Sequence, residues 1–275
     1  MKRKLSDSPR LKPRRSAPLK PPSRLLMAME GRAMLEWASF ALAWPLLKNA
    51  PRGDGHPVLV LPGLCAGDHS TIPLRRFLGH LGYDAQPWGQ GLNFGPRDHV
   101  IRGMVDQVRR LEREHGRKVS LVGWSLGGAM AHALALRMPQ RIRQVVTLGS
   151  PLGGHPTGTN VSSLFHLVSG FHADDERLHA LIGGEPQVPT TSIMSKTDGI
   201  VNWRMSLARE SSIAENIEVS ATHMGMGANP AVLWAIADRL AQAEGEWKPF
   251  DRRRAWRYLL YRDPHEFRLA DLIAP

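Results

Sequence analysis

The sequence predicts an α/β protein built on a parallel sheet with helices on both faces. Three observations predict it. Short apolar runs alternate with longer stretches of helical spacing, and the run Val119 to Val122 passes straight into Gly123-Trp124-Ser125-Leu126-Gly127. The 275 residues suffice for one substantial domain plus tails. Such a sheet needs right-handed crossovers and places a site outside the carboxyl ends of its strands.

The elements follow in chain order. Residues 1–24 carry nine Lys/Arg against one Asp and are expected to be a basic disordered leader. Residues 25–47 are expected to form an amphipathic N-terminal helix with Leu26, Met29, Leu35, Trp37, Phe40, Leu42 and Trp44 as its apolar set. Its most apolar part is interrupted by Glu36 and Pro45 and is too short to cross a bilayer. The acid inside that run, behind so long a basic leader, also argues against a secretory signal. Val58 to Leu61 is a strand covered on both faces, ended by Pro62-Gly63. A helix from Thr71 to Leu81 stops at Gly82, with Ser70 or Thr71 as its cap, and Tyr83 to Trp88 is a second strand.

Gly89 to Pro96 is a loop, after which Asp98 is expected to cap a long helix carrying Val100, Met104, Val108 and Leu111 on one side. Val119 to Val122 is the next strand, and Ala129 to Leu136 a helix ended by Pro139. Val145 to Leu148, Thr191 to Met194 and Ile217 to Val219 complete a sheet of about six strands. Asn229 caps the closing helix, Pro230 to Leu240. Residues 151–189 break the rhythm with Gly, Pro, the run His172 to Glu176 and an apolar cluster that includes Leu164, Phe165 and Phe171. They are expected to be a lid or cap insertion in a domain spanning 25–250, followed by an Arg-rich tail over 251–275.

Charge narrows the partners. The net charge of +11 resides mostly in residues 1–24, and the body over 25–250 is close to neutral. That balance argues against nucleic acid as the partner of the body. A solvated leader is the plainer expectation. Contact of residues 1–47 with an anionic membrane is the sharper one. The single Cys65 rules out an internal disulfide and fits a reducing compartment, hence a cytoplasmic protein, peripheral at a membrane if 1–47 binds one. Cys65 is expected to be a small packed residue.

Gly-Trp-Ser-Leu-Gly between a strand and a helix is a tight turn that needs small residues beside its serine. It lifts the Ser125 hydroxyl to the strand's carboxyl edge, where the N–H of Leu126 can face a developing oxyanion. A serine hydroxyl needs a base, and the base a carboxylate that orients it. In this arrangement acid and base follow the serine in chain order, each on a loop leaving a later strand. Asp198, within Ser195-Lys196-Thr197-Asp198-Gly199, and His223, within Ala221-Thr222-His223-Met224-Gly225, fill those two places. Asp198-Gly199 alone could be a turn, and eleven other histidines are present; only His223 combines order, strand end and flanking glycine. Asp238 is excluded because it lies inside the closing helix. A second oxyanion donor is expected from the N–H of Leu64, since Pro62 has none and Gly63 permits the bend. Trp124, Leu164, Phe165 and Phe171 are the candidate substrate-contacting residues.

These stretches, with Gly67 to Thr71, Thr147 to Pro151 and the segment after Asp198, resemble the α/β-hydrolase superfamily, in particular its lipase- and esterase-like bacterial members. The resemblance covers about residues 30–250. It implies ester hydrolysis through an acyl-enzyme on Ser125, Asp198, His223, Leu64 and Leu126, with a small-molecule or lipid-like acyl ester as substrate and neither cofactor nor metal. Two departures stand out: Pro62-Gly63 replaces a frequent His-Gly, and no antiparallel strands precede Val58. The expected fold is therefore an α/β-hydrolase fold with a reduced, mostly parallel sheet. Acyl transfer would use the same residues, and a non-catalytic protein keeping the fold and working through its leader is the rival from another class. Oligomeric state is left open.

Overall fold

The computed structural model describes residues 19–153, 158–171 and 182–266. Six strands form one sheet: β1 (Pro57–Leu61), β2 (Asp84–Pro87), β3 (Val119–Trp124), β4 (Ile142–Leu148), β5 (Thr190–Met194) and β6 (Ala214–Glu218). Their order is β2-β1-β3-β4-β5-β6, and every pairing is parallel. The first strand is preceded by helix rather than by antiparallel strands among the described residues.

The helices are α1 (Arg24–Ala28), α2 (Ala33–Leu47), α3 (Ile72–His80), α4 (Asp98–His115), α5 (Leu126–Arg137), α6 (Ser162–Ser169), α7 (Pro230–Leu240) and the single turn α8 (Arg257–Leu260). Strand alternation splits the core into two layers. Val58, Val60, Val122 and Val146 meet Leu74, Phe77 and Leu78 of α3 and Val232, Leu233 and Ile236 of α7 on one face. Leu59, Leu61, Leu121 and Val145 meet Met104, Val108 and Leu111 of α4 and Met130 and Leu134 of α5 on the other.

Several expectations are corrected. The strands β4, β5 and β6 begin earlier than their apolar residues suggest, because buried polar side chains continue each strand. Gln144, Thr190, Thr191 and Glu215 are all buried, and Glu215 accepts from Arg239 Nη1 at 2.9 Å. Arg97, not Asp98, is the N-cap of α4. Thr71 is the N-cap residue of α3, as expected, but its hydroxyl donates to Asp68 O rather than accepting from a helix N–H; Ser70 lies in the 3₁₀ turn over Asp68–Thr71 that leads into the helix and donates to Gly67 O. Cys65 is exposed, at φ +57°, and not packed.

The largest difference lies at the N-terminus. Residues 25–47 do not form one amphipathic helix: a 3₁₀ turn over Met29–Arg32 separates α1 from α2, and α2 lacks a polar outer face. Residues 19–23, assigned to the leader, are docked. The Lys20 carbonyl accepts from Asn202 Nδ2 at 2.8 Å and that of Pro22 from Asn160 Nδ2 at 3.1 Å. Residues 1–18 of the leader, the run His172 to Glu176 and residues 267–275 of the tail lie outside the described residues, as do 154–157 and 172–181 of the expected insertion.

Candidate active site

At the end of β3 the chain turns so sharply that Ser125 adopts φ +55° and ψ −124°. Helix α5 starts at the next residue, and Gly127 explains how it can. A Cβ there would stand 2.5 Å from the carbonyl oxygens of Leu61 and Pro62, so only glycine lets the helix pass this close to the end of β1. The strained turn is held by Ser125 N donating to Leu148 O at 2.8 Å.

The loops after β5 and β6 converge on this serine. His223 Nδ1 lies 2.6 Å from Asp198 Oδ2, and its Nε2 lies 2.9 Å from Ser125 Oγ. A carboxylate only accepts, so Nδ1 carries the ring proton and Nε2 is left to accept from the serine hydroxyl. The other Asp198 oxygen accepts from the N–H groups of Ile200 and Val201, both at 2.8 Å. All three side chains are buried. Burial works against charge on His223, but the Asp198 charge and hydrogen bond, with the charge of Glu30, outweigh it and hold the ring above the ordinary imidazole range.

Glu30 was missed by sequence reasoning, as was Glu36. Glu30 Oε1 accepts from Gly199 N at 2.7 Å and from His223 N at 3.0 Å, while Oε2 accepts from Met224 N at 2.9 Å. One carboxylate therefore ties the acid loop to the histidine loop. Glu36 binds the neighbouring Thr222 through its N–H and its hydroxyl, both at 2.8 Å. A Cβ at Gly199 would stand 2.4 Å from Leu26 O, so glycine is needed where α1 crosses that loop. The available signal was two acids inside an apolar run, each too far in sequence from its partner for spacing to reveal.

The loop after β1 brings Gly63 beside the serine: a Cβ there would stand 3.3 Å from Ser125 Cβ. Asn93, fully buried, fixes this loop. Its Nδ2 donates to Pro62 O at 2.8 Å, its carbonyl accepts from Cys65 N at 2.8 Å, and its N–H donates to Ala66 O at 2.9 Å. Asp68 braces the same region by accepting from the N–H groups of Trp88 and Gly89. Leu64 follows Gly63 directly. Leu126 is the first residue of α5, where a backbone N–H has no helical acceptor.

The four candidate contact residues separate. Trp124 is buried, and its Nε1 donates to His223 O at 3.0 Å, so it supports the histidine loop. Phe165 of α6 packs, with Leu64, against the core layer that contains Leu126. Leu164 is exposed and Phe171 half-buried. Among the described residues no cluster of three His, Cys, Asp or Glu side chains could hold a metal ion.

A family profile described as the alpha/beta hydrolase fold matches residues 56–185. The chain has the α/β-hydrolase fold. The chain is 29% identical to 2-hydroxy-6-oxo-2,4-heptadienoate hydrolase of Pseudomonas putida over 153 residues, half of this chain and 46% of that protein. It is 31% identical to serine hydrolase BPHL of Mus musculus over 108 residues, 36% of this chain and 37% of that one. The matches thus span less than half the length of either curated relative. Among solved structures, Aspergillus fumigatus lipase B superposes with a TM-score of 0.57 at 18% identity, over 80% of this chain and 56% of that one. The mature form of Bacillus licheniformis lipase BlEst2 gives 0.51 at 15% identity, over 71% and 95%. At these identities the structural likeness concerns the fold alone.

Proposed function

We propose that this α/β hydrolase is a serine hydrolase that cleaves carboxylic esters through an acyl-enzyme. The single observation that carries the proposal is the relay in which Ser125 Oγ lies 2.9 Å from His223 Nε2, with Asp198 2.6 Å from the opposite ring nitrogen. As Ser125 Oγ attacks the acyl carbonyl, His223 Nε2 takes its proton, and Asp198 stabilises the imidazolium. The N–H groups of Leu64 and Leu126 hold the oxyanion. The ester C–O bond then breaks as His223 returns the proton to the leaving alcohol. Water, deprotonated by the same ring, attacks the acyl-enzyme and releases the acid.

The apolar surroundings of Phe165 and Leu64 favour an uncharged, hydrophobic acyl chain, which Leu164 and Phe171 would extend to meet. The two curated relatives, both hydrolases, support hydrolysis as the reaction. Turnover of p-nitrophenyl esters of graded acyl length tests the proposal. Ser125→Ala is expected to lower kcat/KM by a factor on the order of 10⁴ or more. Activity retained in that variant would remove the mechanism. Product analysis with an added acceptor alcohol separates hydrolysis from acyl transfer, because only the second yields a new ester.

A further inference from the structure

Helix α2 is apolar on both sides, yet only one side is packed. Phe40, Ala43, Trp44 and Leu47 face the core layer under α7. The opposite stripe, Met34, Leu35, Ala38, Ala41, Leu42, Pro45 and Leu46, is exposed for three turns. Leu42 is 83% exposed, and Leu25 and Met27 of α1 extend the same apolar character. A helix without a polar face is ordinarily covered on all sides.

The charges around it say what covers it. Between Leu19 and Gly53 the only acidic residues are Glu30 and Glu36. Both are turned inward onto the backbone of the Gly199 and His223 loops. The charges left outward on this segment are cationic: Lys20, Arg24, Lys48 and Arg52 are all exposed. The preceding residues add a strongly basic stretch. A second copy would bring the same basic rim against this one and be repelled. An anionic lipid surface supplies both an apolar layer for the stripe and negative headgroups for the rim.

We propose that α1 and α2 dock the protein onto an anionic lipid surface, with the leucine stripe of α2 entering the headgroup–acyl boundary. The carboxylates that hold the histidine loop lie on the inner side of the same 24-residue segment, so docking would set the candidate site close to lipid. The inference goes beyond the ester-hydrolysis proposal and does not depend on it.

Co-sedimentation of the full-length protein with vesicles tests it, read as binding rather than turnover. Binding is expected to mixed phosphatidylglycerol–phosphatidylcholine vesicles, to weaken as salt rises, and to be far weaker on phosphatidylcholine alone. Leu35→Gln/Leu42→Gln/Leu46→Gln is expected to weaken it by about tenfold or more, with the circular dichroism spectrum unchanged. Absence of binding to the anionic vesicles would overturn the proposal, as would equal binding to both vesicle types or equal binding by the triple variant. A dimer that the triple variant loses, without vesicle binding, would overturn it in favour of a second copy.

Discussion

Three backbone N–H groups from two loops converge on the Glu30 carboxylate, which also adds negative charge beside His223. Geometry and charge can be separated at this residue. The base form of His223 is neutral, and its ring is held above the ordinary imidazole range, so the acid limb of kcat/KM against pH should lie above that range. Glu30→Gln keeps much of the shape but removes charge and one acceptor. It is expected to move that limb to lower pH and to cut kcat by about tenfold, leaving KM little changed. A limb that stays in place would make Glu30 a purely structural brace. Ser125, Asp198 and His223 were legible in the sequence because chain order and strand ends restrict where each can stand. Glu30 and Asn93 were not, because neither carries a local pattern and each acts across a long sequence separation on another loop's backbone.

At the scale of elements, the sheet's amino-terminal end is tied by a buried polar group. His56, fully buried just before β1, meets Asp54 through Nδ1, and its Nε2 lies 2.8 Å from Ser120 Oγ in β3. Arg143 of β4 reaches Asp54 Oδ2 at 2.9 Å, so three neighbouring strands share the network. Burial pushes His56 down to about 4, the Arg143 and Arg117 charges act in the same direction, and Asp54 opposes them. The folded state therefore refuses a proton that the unfolded chain accepts. Stability from this group is complete above the ordinary imidazole range and declines as pH falls from there toward about 4. The urea midpoint should drop over that window, and His56→Gln should flatten the drop; an equal slope in the variant would contradict the assignment. The helices were legible from their spacing, whereas strand starts were hidden wherever a buried Gln, Thr or Glu continued the strand. The N-terminal helix was misjudged for a related reason: its polar residues face the site rather than solvent.

For the whole molecule, the parallel sheet gathers at one edge the four segments the chemistry needs. The loops after β1, β3, β5 and β6 all leave carboxyl ends, and the segment over 19–47 closes against two of them from outside. Fold class and strand number followed from alternation and from the strand-to-helix turn, since these depend on local pattern. The partners of the outward helix face and the substrate do not, because they depend on surfaces assembled from distant residues. The central claim concerns Ser125, and a fluorophosphonate probe followed by peptide mass spectrometry tests it most directly. The account predicts phosphonylation at Ser125, strongly slowed by Asp198→Asn and His223→Ala. A folded wild-type protein that leaves Ser125 unlabelled would contradict it.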